Sequence, residues 1–336
     1  MDSSCVHRSP RLERDTDTDT DGDTDTGKRS DGARLRAGAA QARRADSDER
    51  AEPVGDTIGR VTSELLPHPV TGQLFASPVG PGTGWPGDPA SAQTPIARTA
   101  LEVERLAGRA RSVAELDAAV SVCRACHRLV KWRETIATEG KRASFADQPY
   151  WGRPGPGFGD TAPAILVVGL APAANGTNRT GRMFTGDRSG DWIYAALHRA
   201  GYARQPTSTH SGDGQSLTGV RIVAAVRCAP PANKPTPAER DTCGHWLDRD
   251  LALSAPGLRS MLALGAIGWD ATLASARRLG WAVPRPKPRF THGAETTLIT
   301  NRDRPIRLVA SYHVSQQNTF TGKLTEAMLD DVLARL

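Results

Sequence analysis

Four short apolar runs, separated by stretches of helical periodicity, set the frame of this chain. The runs are 165–170 (ILVVGL), 220–227 (VRIVAAVR), 260–264 (SMLAL) and 306–312 (IRLVASY). Unbroken apolar segments of this length read as strands buried on both faces of a sheet. Between them, apolar residues recur at helical spacing over about 189–200, 237–253, 266–279 and 322–335; in the first of these Trp192, Ile193, Leu197 and Ala200 share one face. Upstream, 101–123 (LEVERLAGRARSVAELDAAVSVC) is also helical in pattern, with Ser112 to Glu115 forming a capping box. Such alternation predicts one α/β domain of three layers. The polar stretch 203–219 reads as a loop, and the Pro- and Arg-rich stretch 281–305 as a hairpin excursion.

The segment from Ile165 to Gly190 organises the rest. It runs from a buried strand into a polar loop rich in Gly, Asn and Thr, then into a helix with Asp187 or Ser189 as N-cap. Open α/β sheets place ligands where strand gives way to loop and helix N-terminus. This loop is longer than a plain connection requires, which marks it as functional.

Composition removes part of the chain from the fold. Residues 1–60 contain RDTDTDTDGDTDTG and Arg/Ala/Asp-rich sequence almost without aromatics, a composition that predicts disorder. Residues 61–100, rich in Pro, Gly and Ser with scattered Leu65, Leu66, Leu74, Phe75 and Trp85, predict an arm packed on a domain spanning 101–336. No apolar run approaches the roughly 20 residues of a membrane span and no signal peptide is evident, so the expectation is a soluble intracellular protein. Counting Lys and Arg against Asp and Glu, residues 1–100 carry −4 and residues 101–336 carry +10. A basic folded part fits either an ordinary solvated surface or a phosphate-backbone partner.

Five cysteines add a second constellation. Cys5 sits alone in the acidic tail. Cys123 and Cys126 form a C-x2-C pair, and Cys228 and Cys243 flank the proline-rich CAPPANKPTPAERDTC segment. Four thiols in an intracellular chain point to a metal site. Tetrahedral zinc and a [4Fe–4S] cluster both take four thiolates, and spacing alone leaves them open. A third constellation follows the last strand: His313, in HVSQQNTFTGKLT, projects at the same sheet edge as the loop after Ile165–Leu170.

Taken in order, GLAPAANGTNRTGRMFTGD, CAPPANKPTPAER and HVSQQNTFTGKL with the four cysteines resemble the uracil-DNA glycosylase superfamily, and within it family 5, the type-b enzymes. The resemblance covers most of 115–336. It implies a central, mostly parallel four-stranded sheet between helices and a structural [4Fe–4S] cluster on Cys123, Cys126, Cys228 and Cys243. It also implies a monomer acting on DNA at the bacterial nucleoid in the cytoplasm, removing uracil and leaving an abasic site in base-excision repair. Hypoxanthine, ethenocytosine and hydroxymethyluracil are further bases that the family accepts. The broader superfamily has a polar, water-activating residue just after the first glycine; here Leu170 and Ala171 are apolar, which is the family-5 pattern and moves the catalytic burden elsewhere.

Glycosidic cleavage builds oxocarbenium character on the sugar and negative charge on the leaving base. By the resemblance, His313 is a donor to the base, and Asp187, the one carboxylate of the first loop, positions water or stabilises the sugar cation, a role compatible with capping. Asn233 matches the family position that bonds the base edge, where an amide can read N3–H and O4 together. Phe184 would stack on the extruded base; Gly169, Leu170, Ala171 and Ala173 would wall the pocket. Ser315 to Phe320 matches the insertion loop, with Gln316, Gln317 and Asn318 replacing lost base-pair hydrogen bonds, and Arg179, Arg182 and Lys323 stand as candidates for phosphate contacts at the rim. Two other readings remain: a cluster-bearing nucleic-acid-binding relative without catalysis, and a zinc-stabilised nucleotide hydrolase. Against the second, the chain has no P-loop and no carboxylate cluster for Mg²⁺.

Overall fold

The computed structural model describes residues 64–336; the acidic repeat and Cys5 lie outside the described residues. Two short paired strands, β1 (Leu66–Pro67) and β2 (Leu74–Phe75), come first, followed by α1 (Ala100–Arg109), α2 (Val113–Ser121) and α3 (His127–Thr138). The stretch 101–123 is thus two helices, because Ser112 caps the second by accepting from Glu115 N. Then come β3 (Phe158–Gly159), β4 (Ile165–Gly169), α4 (Thr177–Thr180), α5 (Arg188–Arg199) and β5 (Val220–Ala224). The chain closes with α6 (Pro237–Ser254), β6 (Ser260–Leu264), α7 (Gly265–Arg278), β7 (Glu295–Ile299), β8 (Pro305–Ser311), α8 (Gln316–Phe320) and α9 (Glu326–Ala334).

The central sheet has six strands in the order β3-β5-β4-β6-β8-β7. The four parallel members, β5, β4, β6 and β8, are the four apolar runs of the sequence. Sequence reasoning stopped at four strands, and the structure adds antiparallel edges, β3 against β5 and β7 against β8. The reason is physical. Every residue of β4, β5 and β6 is buried, whereas β7 (ETTLI) is half solvated and β3 is two residues long, so neither has an apolar run to find. Of the hairpin expected within 281–305 only β7 falls inside that stretch, and it pairs with β8, the strand that follows.

Side-chain alternation along the strands separates two cores. Ile165, Val167, Leu262 and Val309 face Ile193, Leu197 and Val332 of α5 and α9. Leu166, Val168, Met261 and Leu308 face Leu247, Leu251, Trp269 and Leu273 of α6 and α7. A third core joins α1 and α2 to α6 and includes Cys123, Cys228, Cys243 and Trp246. Residues 64–99 cross the surface and bury Phe75, Val79 and Trp85 against Trp151, with Trp85 Nε1 donating to Thr180 O at 3.2 Å. Buried Arg221, in β5, is neutralised by Asp117 at 2.7 Å and Asp250 at 2.9 Å. The carboxyl ends of all four parallel strands therefore share one edge, and the segments leaving those strand ends build the site.

Candidate active site and cysteine pocket

Strand β4 ends at Gly169, where the ring of Phe184 occupies the space of the missing side chain: a Cβ on Gly169 would lie 3.0 Å from Phe184 Cζ. Phe184 itself has φ +50, an uncommon conformation for a bulky residue. It is kept there from behind, since a Cβ on Gly190 would stand 2.0 Å from Phe184 O, and the Tyr194 hydroxyl donates to Met183 O at 2.9 Å. Backbone strain of this kind concentrates at ligand sites. From the end of β8 comes half-buried His313, its ring 6.0 Å from the Phe184 ring and tilted by 38°. Gly265, where β6 passes directly into α7, lets His313 close in: a Cβ there would be 3.3 Å from His313 Cβ. Asn318 Nδ2 donates to His313 O at 2.8 Å and fixes the turn. Burial pulls the His313 pKa down to about 4, so its imidazole is neutral at pH 7.

Asp187 divides its two oxygens. Oδ1 accepts from Gly190 N at 2.9 Å and caps α5. Oδ2 lies over Gly176, only 1.9 Å from where a Cβ on that residue would sit. Burial raises the carboxyl pKa, while the cap bond at Gly190 and the charge of Arg179 pull the other way. Arg179 ties the loop across its mouth, donating from Nε to Asn175 O at 2.8 Å and from Nη2 to Gly186 O at 2.9 Å. The Tyr150 hydroxyl adds a bond to Asn175 Oδ1 at 3.0 Å.

Cys123, Cys126, Cys228 and Cys243, from the α2–α3 turn, the loop after β5 and helix α6, line a single cavity with Arg133, Arg227 and Trp246. All four are free thiols. Burial first, then the proximity of the other thiols, pushes the Cys123 pKa up to about 11 and the Cys126 pKa up to about 12, and raises Cys243 as well. Four thiols around one cavity form a donor set for a soft cation, whose binding would take their protons. Among the described residues no three His, Cys, Asp or Glu side chains are gathered closely enough to hold one metal ion; the thiols surround the cavity rather than meet at a point.

Comparison with known proteins decides the family. The family model described as the uracil DNA glycosylase superfamily matches residues 156–336. The type-5 uracil-DNA glycosylase of Mycobacterium tuberculosis is 56% identical over 265 residues, 79% of this chain and 96% of that protein. The chain belongs to the uracil-DNA glycosylase superfamily. Its likeness to the type-5 members extends to the enzyme of Thermus thermophilus, 48% identical over 64% of this chain and 92% of that protein. It reaches also to that of Pyrobaculum aerophilum, 41% identical over 63% and 87% respectively.

Within this glycosylase fold the predicted site residues fall into three groups. Gly169, Phe184 and His313 stand together at the sheet edge, and Asp187 caps α5 beside Gly176, which was not predicted. Leu170, Ala171 and Ala173 follow β4, all three half-buried, and Ala171 packs against the cysteine core, joining the two sites. Asn233 lies on the neighbouring loop after β5, exposed, with φ +53 following Ala232 at φ +50.

Arg179 and Arg182 are corrections. Both are buried; Arg182 donates to Asp213 at 2.6 Å and to Ser208 at 2.7 Å, and Arg179 is committed to the loop carbonyls, so neither guanidinium is turned to a phosphate. Asn318 is half-buried; its Nδ2 donates to His313 O, and its backbone carbonyl accepts from Leu324 N at 2.9 Å. Gln316 and Gln317 are exposed on α8, beside Phe320, which is 71% exposed. Lys323 is exposed over the Tyr312 ring at 4.9 Å. Sequence reasoning missed Gly176, Tyr150, Arg133 and Arg227. Only the glycine carried a signal, a residue without a side chain in the middle of a functional loop.

Proposed function

We propose that this chain removes uracil from DNA by hydrolysing the N-glycosidic bond of an extruded nucleotide, leaving an abasic site. The observation that carries the residue assignment is the gathering of Phe184, His313 and Asp187 at one sheet edge, each seated on a glycine. A base drawn out of the stack enters a pocket by its π face, and the Phe184 ring, held at positive φ against Gly169, supplies that face. As the bond breaks, charge develops on the base oxygens. His313, neutral at pH 7, donates a ring N–H to one of them and stabilises the departing anion without first having to be charged. On the sugar side, Asp187 Oδ2 orients the attacking water and faces the oxocarbenium character. Asn233 reads the base edge through its amide. Because Leu170 and Ala171 are apolar, water activation falls to Asp187.

Outside the pocket, Gln316, Gln317 and Lys323 meet the DNA, the amides at the vacated position and the ammonium at phosphate. The four cysteines hold a [4Fe–4S] cluster, and their arrangement around a cavity fits a cluster better than a zinc ion, whose four thiolates stand about 2.3 Å from one centre. When bound, the cluster acts as a structural staple, tying the α2–α3 turn and α6 to the loop that carries Asn233. Hypoxanthine and ethenocytosine are accepted beside uracil.

Single-turnover base release from duplexes carrying one uracil, one hypoxanthine or one ethenocytosine tests this reading. Release from all three is expected, with His313→Ala slower by at least about tenfold, ~1.4 kcal/mol in barrier. DNA binding without release from any of the three would point instead to a non-catalytic relative.

A further inference from the structure

Two buried arginines in the cysteine cavity take no part in base release. Arg133, 1% exposed, donates from Nη1 to Cys228 Sγ at 2.8 Å, from Nη2 to Cys123 O at 3.0 Å and from Nε to Gly152 O at 3.2 Å. It lies 3.9 Å from the carboxylate of Glu134, which is itself engaged by Arg124. Arg227, also 1% exposed, binds Asp250 through Nη2, while its Nε and Nη1 have no hydrogen-bond partner among the described residues. Asp250 is shared with Arg221, which Asp117 also pairs, so two carboxylates face two guanidinium groups and what Arg227 lacks is acceptors for its remaining N–H groups. Buried guanidinium N–H groups without acceptors are costly, and a further acceptor at the cavity wall would complete the surroundings of Arg227. Four thiolates around a [4Fe–4S] core in its usual oxidised state carry a net charge of about −2 with the core included, and their sulfurs accept N–H donors.

We infer that Arg133 and Arg227 are the cationic outer layer of the cysteine pocket, helping to retain a net-negative iron–sulfur group and raising its reduction potential. The inference rests on the four-cysteine cluster reading. Arg133 bonds a ligand sulfur directly. Arg227 lies in sequence beside Cys228 and brings two further donors to the cavity wall. A one-electron reduction by an external donor takes the group from about −2 to about −3, and nearby N–H donors and positive charge favour the more negative state. A zinc ion on the same four thiolates would also carry a net charge of about −2, so the reduction potential, which zinc does not have, is what tells the two apart.

The test uses full-length protein purified anaerobically, with Arg133→Met, Arg227→Met, Arg133→Lys and Arg227→Lys. Iron and sulfide content, the rate of loss of visible absorbance under a chelator, and the midpoint potential are read out, with circular dichroism as the check on folding. Both Met variants should bleach at least about tenfold faster than wild type and titrate at least ~59 mV more negative, the one-electron equivalent of tenfold. The Lys variants, keeping charge without the fork of donors, should fall between and decide the matter if a Met variant does not fold. Iron-loaded variants with wild-type bleaching and potential would overturn the arginine role while leaving the cluster intact. A colourless wild-type protein holding zinc would overturn the cluster reading itself.

Discussion

Gly176→Ala is the sharpest probe of the site, because it adds one methyl group and touches one functional atom. The new Cβ would stand 1.9 Å from Asp187 Oδ2 and 2.8 Å from Asp187 Cγ. Contacts of a Cβ below 3.0 Å essentially do not occur, so the carboxylate must retreat by at least about 1 Å. Ala173 Cβ, 3.3 Å away, hinders the alternative of moving the methyl. A retreat of that size breaks the 2.9 Å cap bond from Gly190 N, which costs about 1 kcal/mol of stability. That lowers the melting temperature by roughly 2–4 °C for a domain of this size. It also carries Oδ2 off the position at which we propose it orients water, and a 1 Å misplacement costs on the order of 10²-fold in rate, about 2.7 kcal/mol. Single-turnover uracil release and thermal unfolding measure the two effects separately. In an Asp187→Ala background the methyl has room, and Gly176→Ala should then slow release no further. Wild-type rates in Gly176→Ala, or losses that multiply in the double variant, would refute the claim that Gly176 acts through Asp187.

The remaining expectations are as specific. With His313 neutral above about pH 4, base release should be level between roughly pH 6 and 8; a fall centred near pH 6.5 as pH rises would show that the imidazolium is needed. His210, buried beside His68, is held down to about 3 from 6.5, so the unfolded chain binds its proton first and stability falls as pH drops below 6.5, by about 2 kcal/mol at pH 5. Denaturant melts should show that loss shrinking in His210→Phe. Lys323→Ala should lower the slope of log Kd against log salt by about 1, leaving folding unchanged. Arg182→Met should do the reverse, costing on the order of 3–5 kcal/mol of stability through unpaired Asp213 without changing that slope.

The parallel strands were legible because burial on both faces leaves almost no polar position in ILVVG, VRIVA or SMLAL, and the one charge among them, Arg221, is neutralised by two carboxylates. Capping made α5 legible, since Asp187 stands three residues before Gly190 N. Arg179 and Arg182 misled because a basic residue in a polar loop looks the same on paper whether it faces a phosphate or a carbonyl. Only the fold brings Ser208, Asp213 and Gly186 O to those guanidinium groups, from as far as 31 positions along the chain. Arg133 and Arg227 were hidden for the same reason: helix α3 and the loop after β5 meet at the cysteines only after folding.

Glycines frame this site for a mechanical reason. Each functional group occupies a space that a side chain would deny it: Phe184 at Gly169, Asp187 at Gly176, His313 at Gly265, and the Phe184 carbonyl at Gly190. Rigid strands and helix ends thus press the reactive groups against bare backbone. That limits their freedom more firmly than side chains, which can turn aside, would do. Because Gly176 and Gly190 act on different residues, an alanine at each separates roles that direct removal confounds. At Gly190 the methyl would displace the Phe184 backbone and weaken base stacking, a loss read in binding of the extruded base. At Gly176 it shifts only the carboxylate, a loss read in the rate after binding. If the two variants changed affinity and rate in the same proportion, stacking and water orientation would be one coupled function, and the division of labour argued from these contacts would fail.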